Sequence, residues 1–247
     1  MMTLLEICCG SLGAVKEAVA TGADRVELCS GLAEGGMTPS FGLIREAVAT
    51  GMAVNVLIRP RPGDFHYDRG EVRVMLGDVR MAAGAGASGL VIGALTPEGN
   101  LSCRVMDRLM REARSVNPDI TFTLHRAFDL CRDPEAALEV AIRHGFDRIL
   151  TSGCAASAIK GLGLLRRLKA LSGGRIMIMA AGGVNSRNAA LLAEAADELH
   201  ASARRSLDST MRWRRKGVPM GLPGEDEYLR KETSREEIHN ILKAIGR

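Results

Sequence analysis

Eight short β-branched or apolar segments alternate along this chain with Ala- and Leu-rich segments of helical length. Strands that alternate with helices pair in parallel, and eight such units in 247 residues match the size of a (β/α)8 barrel. The strands are predicted at 4–8, 25–29, 54–59, 88–92, 120–125, 147–151, 175–180 and 197–201. We therefore predict an α/β fold, a single (β/α)8 TIM barrel domain over residues 1–247, with a long connection from strand 8 to helix 8 at about 203–234.

Residues that favour helix ends lie between these strand segments, as the barrel requires. The predicted N-caps are Ser11, Asp133 and Asn185. The prolines expected in first turns are Pro39 and Pro134, and the glycines expected to stop helices are Gly22, Gly51 and Gly145. A doubly wound open sheet is the alternative fold, but "CCGSLG" after the first strand lacks its G-x-G-x-x-G fingerprint. The pattern therefore favours the barrel, with a last helix at about 235–245.

Composition limits the location and the partners of the chain. No apolar segment approaches the roughly 20 residues that span a bilayer, and six cysteines in 247 residues are too sparse for a disulfide scaffold. We expect a cytoplasmic protein whose cysteines remain thiols and which binds neither membrane nor nucleic acid. The formal charge of +4 is mild, and "RWRRK" at 212–216 is interpreted as a solvated loop. We also expect a homo-oligomer.

A carboxylate and a thiol occur twice with the same spacing, as Glu6 with Cys8 and Glu27 with Cys29. Residues two apart on a strand share a face, so each pair should point the same way. Polar residues on otherwise apolar strands should face the barrel interior, because the outward face packs against helices. The same parity predicts more inward side chains: Asn55, Arg59, Thr121, Thr123, His125, Glu198, His200 and Ser202.

The carboxyl ends of barrel strands form the functional face of this fold, and many of these side chains fall there. Glu6 and Glu27 are candidate acid/base groups, and His125 and His200 are candidate proton carriers. Arg59 is the expected counter-ion of the glutamates and, with Gly183, an expected holder of an incoming anion. After strand 7, a glycine turn leads into a helix predicted to begin near Asn185. The residues expected to bind an anion there are Gly182, Gly183 and Ser202.

Several segments resemble the copper homeostasis protein CutC family in the same order along the chain. They are "RVELCSGLAEGGMTPS", "IRPRPGDFHY", "HRAFD", "ILTSG" and "ELHAS". The resemblance implies a (β/α)8 barrel, a cytoplasmic location and a role in copper handling through Cu(I) binding. By the family pattern, the copper-binding thiols are Cys8 and Cys29. Cys9 departs from that pattern, and strand alternation predicts that it faces outward.

Two functional hypotheses follow, and the sequence leaves open whether the protein is an enzyme. The first is a Cu(I)-binding homeostasis protein in which Cys8 and Cys29 are the metal ligands. The second is an enzyme that acts on a small anionic or phosphorylated metabolite at the carboxyl end of the barrel. Both place the two thiols on adjacent strands, with sulfurs within about 7 Å of each other. The cysteines not expected to be ligands are Cys103, Cys131 and Cys154.

Overall fold

Eight parallel strands close into a barrel in chain order, with strand 1 paired to strand 8, in the computed structural model of this protein. The structure describes residues 2–215, 217–218 and 226–247. The strands are β1 Leu4–Cys9, β2 Arg25–Leu28, β3 Val54–Leu57, β4 Gly89–Ile92, β5 Thr121–Leu124, β6 Arg148–Thr151, β7 Met177–Ala180 and β8 Glu198–Ala201. The predicted single (β/α)8 barrel is confirmed, and each predicted strand overlaps an observed one.

Eight α-helices surround the described part of the barrel. They are α1 Leu12–Thr21, α2 Phe41–Val48, α3 Arg69–Gly84, α4 Cys103–Val116, α5 Pro134–His144, α6 Leu162–Ser172, α7 Ala189–Ala195 and α8 Arg235–Ala244. Ser11 and Asp133 cap α1 and α5 with their side-chain oxygens, Pro134 occupies the first turn of α5, and Gly22 and Gly145 end these two helices in left-handed geometry.

Two of the predicted helix starts were wrong. Helix α7 begins at Ala189 and its N-cap is Asn188, whereas Asn185 lies in the preceding turn and accepts the amide of Arg187 through its side chain. Both asparagines can cap a helix, and the sequence pattern did not separate them. Pro39 precedes Ser40, the N-cap of α2, and therefore lies outside the first turn. The third predicted stop, Gly51, follows α2 with a φ of 79°.

The long connection between β8 and α8 contains an antiparallel pair, β9 Arg204–Asp208 and β10 Leu229–Thr233. Residues 212–215 of the basic segment are exposed, and Lys216 lies outside the described residues. Within the described ranges, none of the helices has the length and apolar character needed to cross a membrane.

The apolar core lies between the strands and the helices, whereas much of the barrel interior is polar. Outward-facing strand residues such as Ile7, Cys9 and Val56 belong to the main core cluster and have no exposed surface. Inside the barrel, Cys8 and Cys29 form a separate small cluster with Leu57 and Val91. Cys9 therefore faces the helices, as predicted, and the neighbouring Cys8 faces the interior.

Candidate functional site

The interior has a floor made of charged side chains that pair with each other. Glu6 lies beside Arg25 and His200 in the register of β1 with its two neighbours. The Arg25 guanidinium donates to a Glu6 carboxylate oxygen at 2.6 Å and also bonds Glu198. The Asn55 amide donates to the same Glu6 oxygen at 3.0 Å. These contacts satisfy the hydrogen-bonding groups of a carboxylate that has no exposed side-chain surface.

Glu6 is held ionised by these neighbours. Burial by itself would raise the pKa of its carboxyl, but Arg25 and His200 together hold that pKa well below its usual range. His200 contributes a ring nitrogen 2.8 Å from Glu6. Glu6 therefore has the contacts of a structural anion rather than those of a proton-transfer group, and it lies below the cavity at the barrel mouth.

The two predicted thiols meet directly above this floor. The sulfurs of Cys8 and Cys29 are 3.5 Å apart, and Cys8 donates to a Glu27 oxygen at 3.3 Å. The prediction that the two sulfurs lie within about 7 Å on adjacent strands is therefore confirmed. The ligand atoms of Cys8, Glu27 and Cys29 all lie within 4.8 Å of one another, in a buried group that could hold a metal ion.

Each group at this level is affected by its neighbours. The hydrogen bond to Cys29, burial and the Glu27 charge together raise the pKa of Cys8 well above its ordinary value, so its thiol is protonated at neutral pH. Burial raises the pKa of Glu27, and nearby Glu6 adds to this effect. Burial alone would lower the pKa of His200, but Glu27, Cys8 and Glu6 raise it well above its ordinary value.

A cavity of about 250 Å³ opens above the thiols at the carboxyl ends of the strands. Its wall includes most of the predicted site residues: Cys8, Glu27, Arg59, His125, Gly182, Gly183, His200 and Ser202. Cys29 lies behind Cys8 and has no exposed surface. The structure therefore brings the predicted set to one end of the barrel, and Glu6 lies deeper.

Arg59 is not the counter-ion of the glutamates, which corrects the prediction. Its guanidinium donates to the backbone carbonyls of Glu34, Gly36 and Gly63 at 2.7–3.1 Å. The counter-ion of Glu6 is Arg25, which shares strand parity with Glu27 but lies toward the amino end of β2. The sequence pattern predicts three inward glutamates, Glu6, Glu27 and Glu198. Buried carboxylates need a cationic partner, so the pattern could have indicated a second inward arginine.

His125 is buried in the wall of the cavity in its neutral form. Burial, together with the positive charge of Arg59, lowers the pKa of His125 to about 3. Its Nδ1 atom accepts the amide of Ala127 at 3.0 Å, so the ring proton is on Nε2. The ring lies 4.8 Å from that of Phe65, and Gly93 leaves room for it, because a Cβ there would lie 2.6 Å from the ring.

The glycine turn after β7 forms part of the cavity wall, but no helix begins at it. Gly182 and Gly183 have φ angles of 92° and 78°, and α7 starts six residues after Gly183. The expected contribution of a helix N-terminus to anion binding is therefore absent at this turn. Arg126, which the sequence analysis missed, lies in the cavity wall near Gly182, held by Asp129 at 2.7 Å.

The remaining thiols lie away from this group. Cys103 starts α4. The backbone amide of Cys131 and the sulfur of Cys154 contact the same carbonyl oxygen of Phe128, at 3.1 and 3.8 Å. These two cysteines are distant in the sequence, but the fold brings them close together.

Comparison with known proteins gives one consistent family. The model of the CutC family matches residues 3–205. A family protein CutC from Bacteroides thetaiotaomicron is 45% identical over 245 residues, covering 97% of each chain. The copper homeostasis protein cutC homolog of Homo sapiens is also 45% identical, over 248 residues, 99% of this chain and 89% of its own.

A crystal structure of CutC from Streptococcus agalactiae has the same barrel. It superposes with a TM-score of 0.76 at 30% identity and covers 82% of this chain and 99% of its own. The matching segments include both Glu-x-Cys strands, which lie within the range of the family model. On sequence and fold together, this chain belongs to the CutC family.

Proposed function

We propose that this protein binds Cu(I) through Cys8 and Cys29 and serves copper homeostasis in the cytoplasm. The observation that supports the proposal is the pair of buried sulfurs, 3.5 Å apart, with the Glu27 carboxylate 3.3 Å from one of them. The copper homeostasis names of relatives across the whole chain add to this support.

The donor set suits a soft monovalent ion. Thiolates select Cu(I) over hard cations such as Mg²⁺ or Ca²⁺, which require several oxygen ligands. In this site, Glu27 raises the cost of a Cys8 thiolate, so the thiolate needs a cation to replace its proton. Cu(I) supplies that positive charge when it binds. Uptake should therefore release protons and strengthen as the pH rises.

Competition with a chromophoric Cu(I) chelator under anaerobic, reducing conditions tests the proposal. Wild-type protein should remove one equivalent of Cu(I) from the chelator, and Cys8→Ser/Cys29→Ser should remove none, because a serine hydroxyl is a hard, undeprotonated ligand. The matched control is Cys103→Ser/Cys131→Ser, which also loses two thiols and should retain full uptake. Unchanged uptake by the first double variant would refute the assignment.

An enzyme acting on a small anionic or phosphorylated metabolite is the second candidate. The arginine and histidine side chains around the cavity support it, since such groups hold anions and transfer protons. The ion pairs of the floor exclude Glu6 from the proton-transfer candidates of this hypothesis, which leaves Glu27, His125 and His200. Thermal shifts against a library of phosphorylated metabolites test this function, and the absence of any stabilising compound would count against it.

A further inference from the structure

Two buried donors in the cavity wall have no acceptor among the described residues. They are Nε of Arg59 and Nε2 of His125, in residues that are 6% and 3% exposed. Leaving a buried donor unsatisfied costs roughly 1–3 kcal/mol, so such atoms are rare without a functional reason. Both residues line the cavity that opens above the thiols, so an acceptor bound there would satisfy them once the two covered nitrogen atoms turn toward it.

The same wall carries excess positive charge. Among the described residues, its lining includes three arginines, Arg59, Arg126 and Arg204, but a single carboxylate residue, Glu27. Arg126 is neutralised in part by Asp129, whereas the described partners of Arg59 are all uncharged and leave its charge uncompensated. They are three backbone carbonyls, the Phe65 ring and Tyr67. A buried cation without a counter-ion is costly, and an anionic group bound beside it would relieve that cost.

The thiols are accessible from the same cavity on one side only. Cys8 is 7% exposed and lines the cavity, whereas Cys29 is covered. Two protein sulfurs leave Cu(I) open to a third soft ligand, and that ligand has to approach through the cavity. A volume of about 250 Å³ is small for a ligand pocket, which favours a small molecule over a protein loop.

We infer that the cavity binds a small anionic thiol that delivers Cu(I) and remains beside Cys8, with its carboxylate held by the Arg59 and His125 wall. This inference rests on the proposed Cu(I) function. The carboxylate would accept from the two orphaned donors, and the sulfur would face the protein thiols. One ligand then accounts for the unsatisfied donors, the excess positive charge and the one-sided opening of the site.

The transfer balances without any redox step. A Cu(I) ion carried by two small thiolates exchanges one of them for the sulfurs of Cys8 and Cys29. Two Cu–S bonds form and one breaks. Of the two protons released by the cysteines, one goes to the departing thiolate and the other to solvent, and copper stays Cu(I) throughout.

Three thiols of similar size distinguish the role of charge: 3-mercaptopropionate, 3-mercaptopropanol and cysteamine. Cu(I) supplied with 3-mercaptopropionate should bind about tenfold or more tightly than Cu(I) supplied with either of the others, because only its carboxylate makes charge-assisted hydrogen bonds. Without copper, 3-mercaptopropionate alone should raise the Tm of the protein and the other two should not.

The variants are His125→Asn, which keeps an acceptor for the Ala127 amide but removes the Nε2 donor, and Arg204→Gln at the cavity mouth. Both should reduce the preference for the anionic thiol. The matched control is Arg205→Gln, since Arg205 neighbours Arg204 on β9 but lies in a separate surface cavity beside Arg235 and should retain the preference.

Equal binding from all three thiols, with Cu(I) uptake intact in the chelator assay, would overturn this inference and leave the proposed function standing. Loss of uptake in the chelator assay itself would instead refute the proposed function. A Tm increase caused by inorganic phosphate, with no preference among the thiols, would also overturn the inference and favour a phosphorylated metabolite.

Discussion

The floor of the barrel and the wall of its cavity are built from inward-facing residues of the same strand parity, yet they differ in how their polar groups are satisfied. In the floor, Arg25 bonds both Glu6 and Glu198, and Asn55 and His200 complete the contacts of Glu6. In the wall, Arg59 and His125 each keep a buried donor that has no acceptor in the part of the chain that the structure describes. Glu6 is therefore fully paired without a ligand, whereas the two wall donors are unpaired among the described residues. Arg148, whose Nε lies 3.5 Å from Glu198, also has an unpaired donor, so the contrast applies to Glu6 and its partners and not to every group of the floor.

This difference distinguishes structural from functional polarity inside one barrel. A completed network contributes to folding specificity and is expensive to break, because removing one partner leaves an unpaired buried charge. An incomplete set costs stability unless a ligand completes it. Mutations in the floor should therefore destabilise the protein strongly, and mutations in the wall should alter binding more than stability.

The largest effect is expected for Arg25→Ala. The variant leaves Glu6 and Glu198 buried without their shared cation, so the free energy of unfolding at pH 7 should fall by about 3–5 kcal/mol. Urea denaturation measures this change. Arg175→Ala is the matched control, because its ion pair with Glu139 is on the surface, and it should change stability little.

The same denaturation experiment at low pH tests whether the lost ion pairs cause the destabilisation. A carboxyl whose pKa is lowered by folding stabilises the protein above its unfolded pKa of 4.5 and loses that contribution as the pH falls. The difference between wild type and Arg25→Ala should therefore shrink below pH 4.5. A constant difference would mean that lost packing, and not the ion pairs, explains the destabilisation.

A smaller effect is expected for His200→Gln. His200 lies between the floor and the thiols, because its ring contacts both Glu6 and Glu27. Folding raises the pKa of His200, so its stabilising contribution is complete below its unfolded pKa of 6.5 and is lost as the pH rises through the folded value. The cost of the substitution should be about 2–3 kcal/mol at pH 6, the scale of a charged hydrogen bond, and should fall toward pH 9. Urea denaturation of both proteins from pH 6 to 9 measures this cost. A loss of unfolding free energy that grows with pH would contradict the prediction.

Strand alternation was sufficient to predict the barrel and the inward-facing thiols. The period of two places Cys8 and Cys29 on the interior face of neighbouring strands, and this result does not depend on loop geometry. The same period predicts that Arg25 faces the interior. It was not named as a site residue because the search was limited to the carboxyl ends of the strands, and Arg25 lies at the amino end of β2.

Partners supplied by loops could not be predicted in this way. The carbonyls that hold Arg59 come from the turns after β2 and β3, whose paths depend on left-handed glycines at Gly35, Gly36 and Gly63. Strand periodicity contains no information on which carbonyl a loop presents. For that reason the sequence indicated an inward arginine correctly and assigned it the wrong partner.

The smallest effect at neutral pH is expected for His125→Asn in the cavity wall. The substitution keeps the acceptor for the Ala127 amide and exchanges one buried donor without a described partner for another, the Asn amide, so the free energy of unfolding at pH 7 should change by less than about 1.5 kcal/mol. Its pH dependence should be opposite in sign to that of His200→Gln. Folding lowers the pKa of His125 to about 3. Below the unfolded pKa of 6.5 the unfolded chain binds a proton that the folded chain does not bind. The wild type therefore loses stability as the pH falls below 6.5. By pH 5 the variant should have gained about 2 kcal/mol relative to wild type. Urea denaturation from pH 5 to 8 measures this gain. If the variant lost about 3 kcal/mol or more of unfolding free energy at pH 7, His125 would be a structural group like Arg25, and the contrast between the two layers would be refuted.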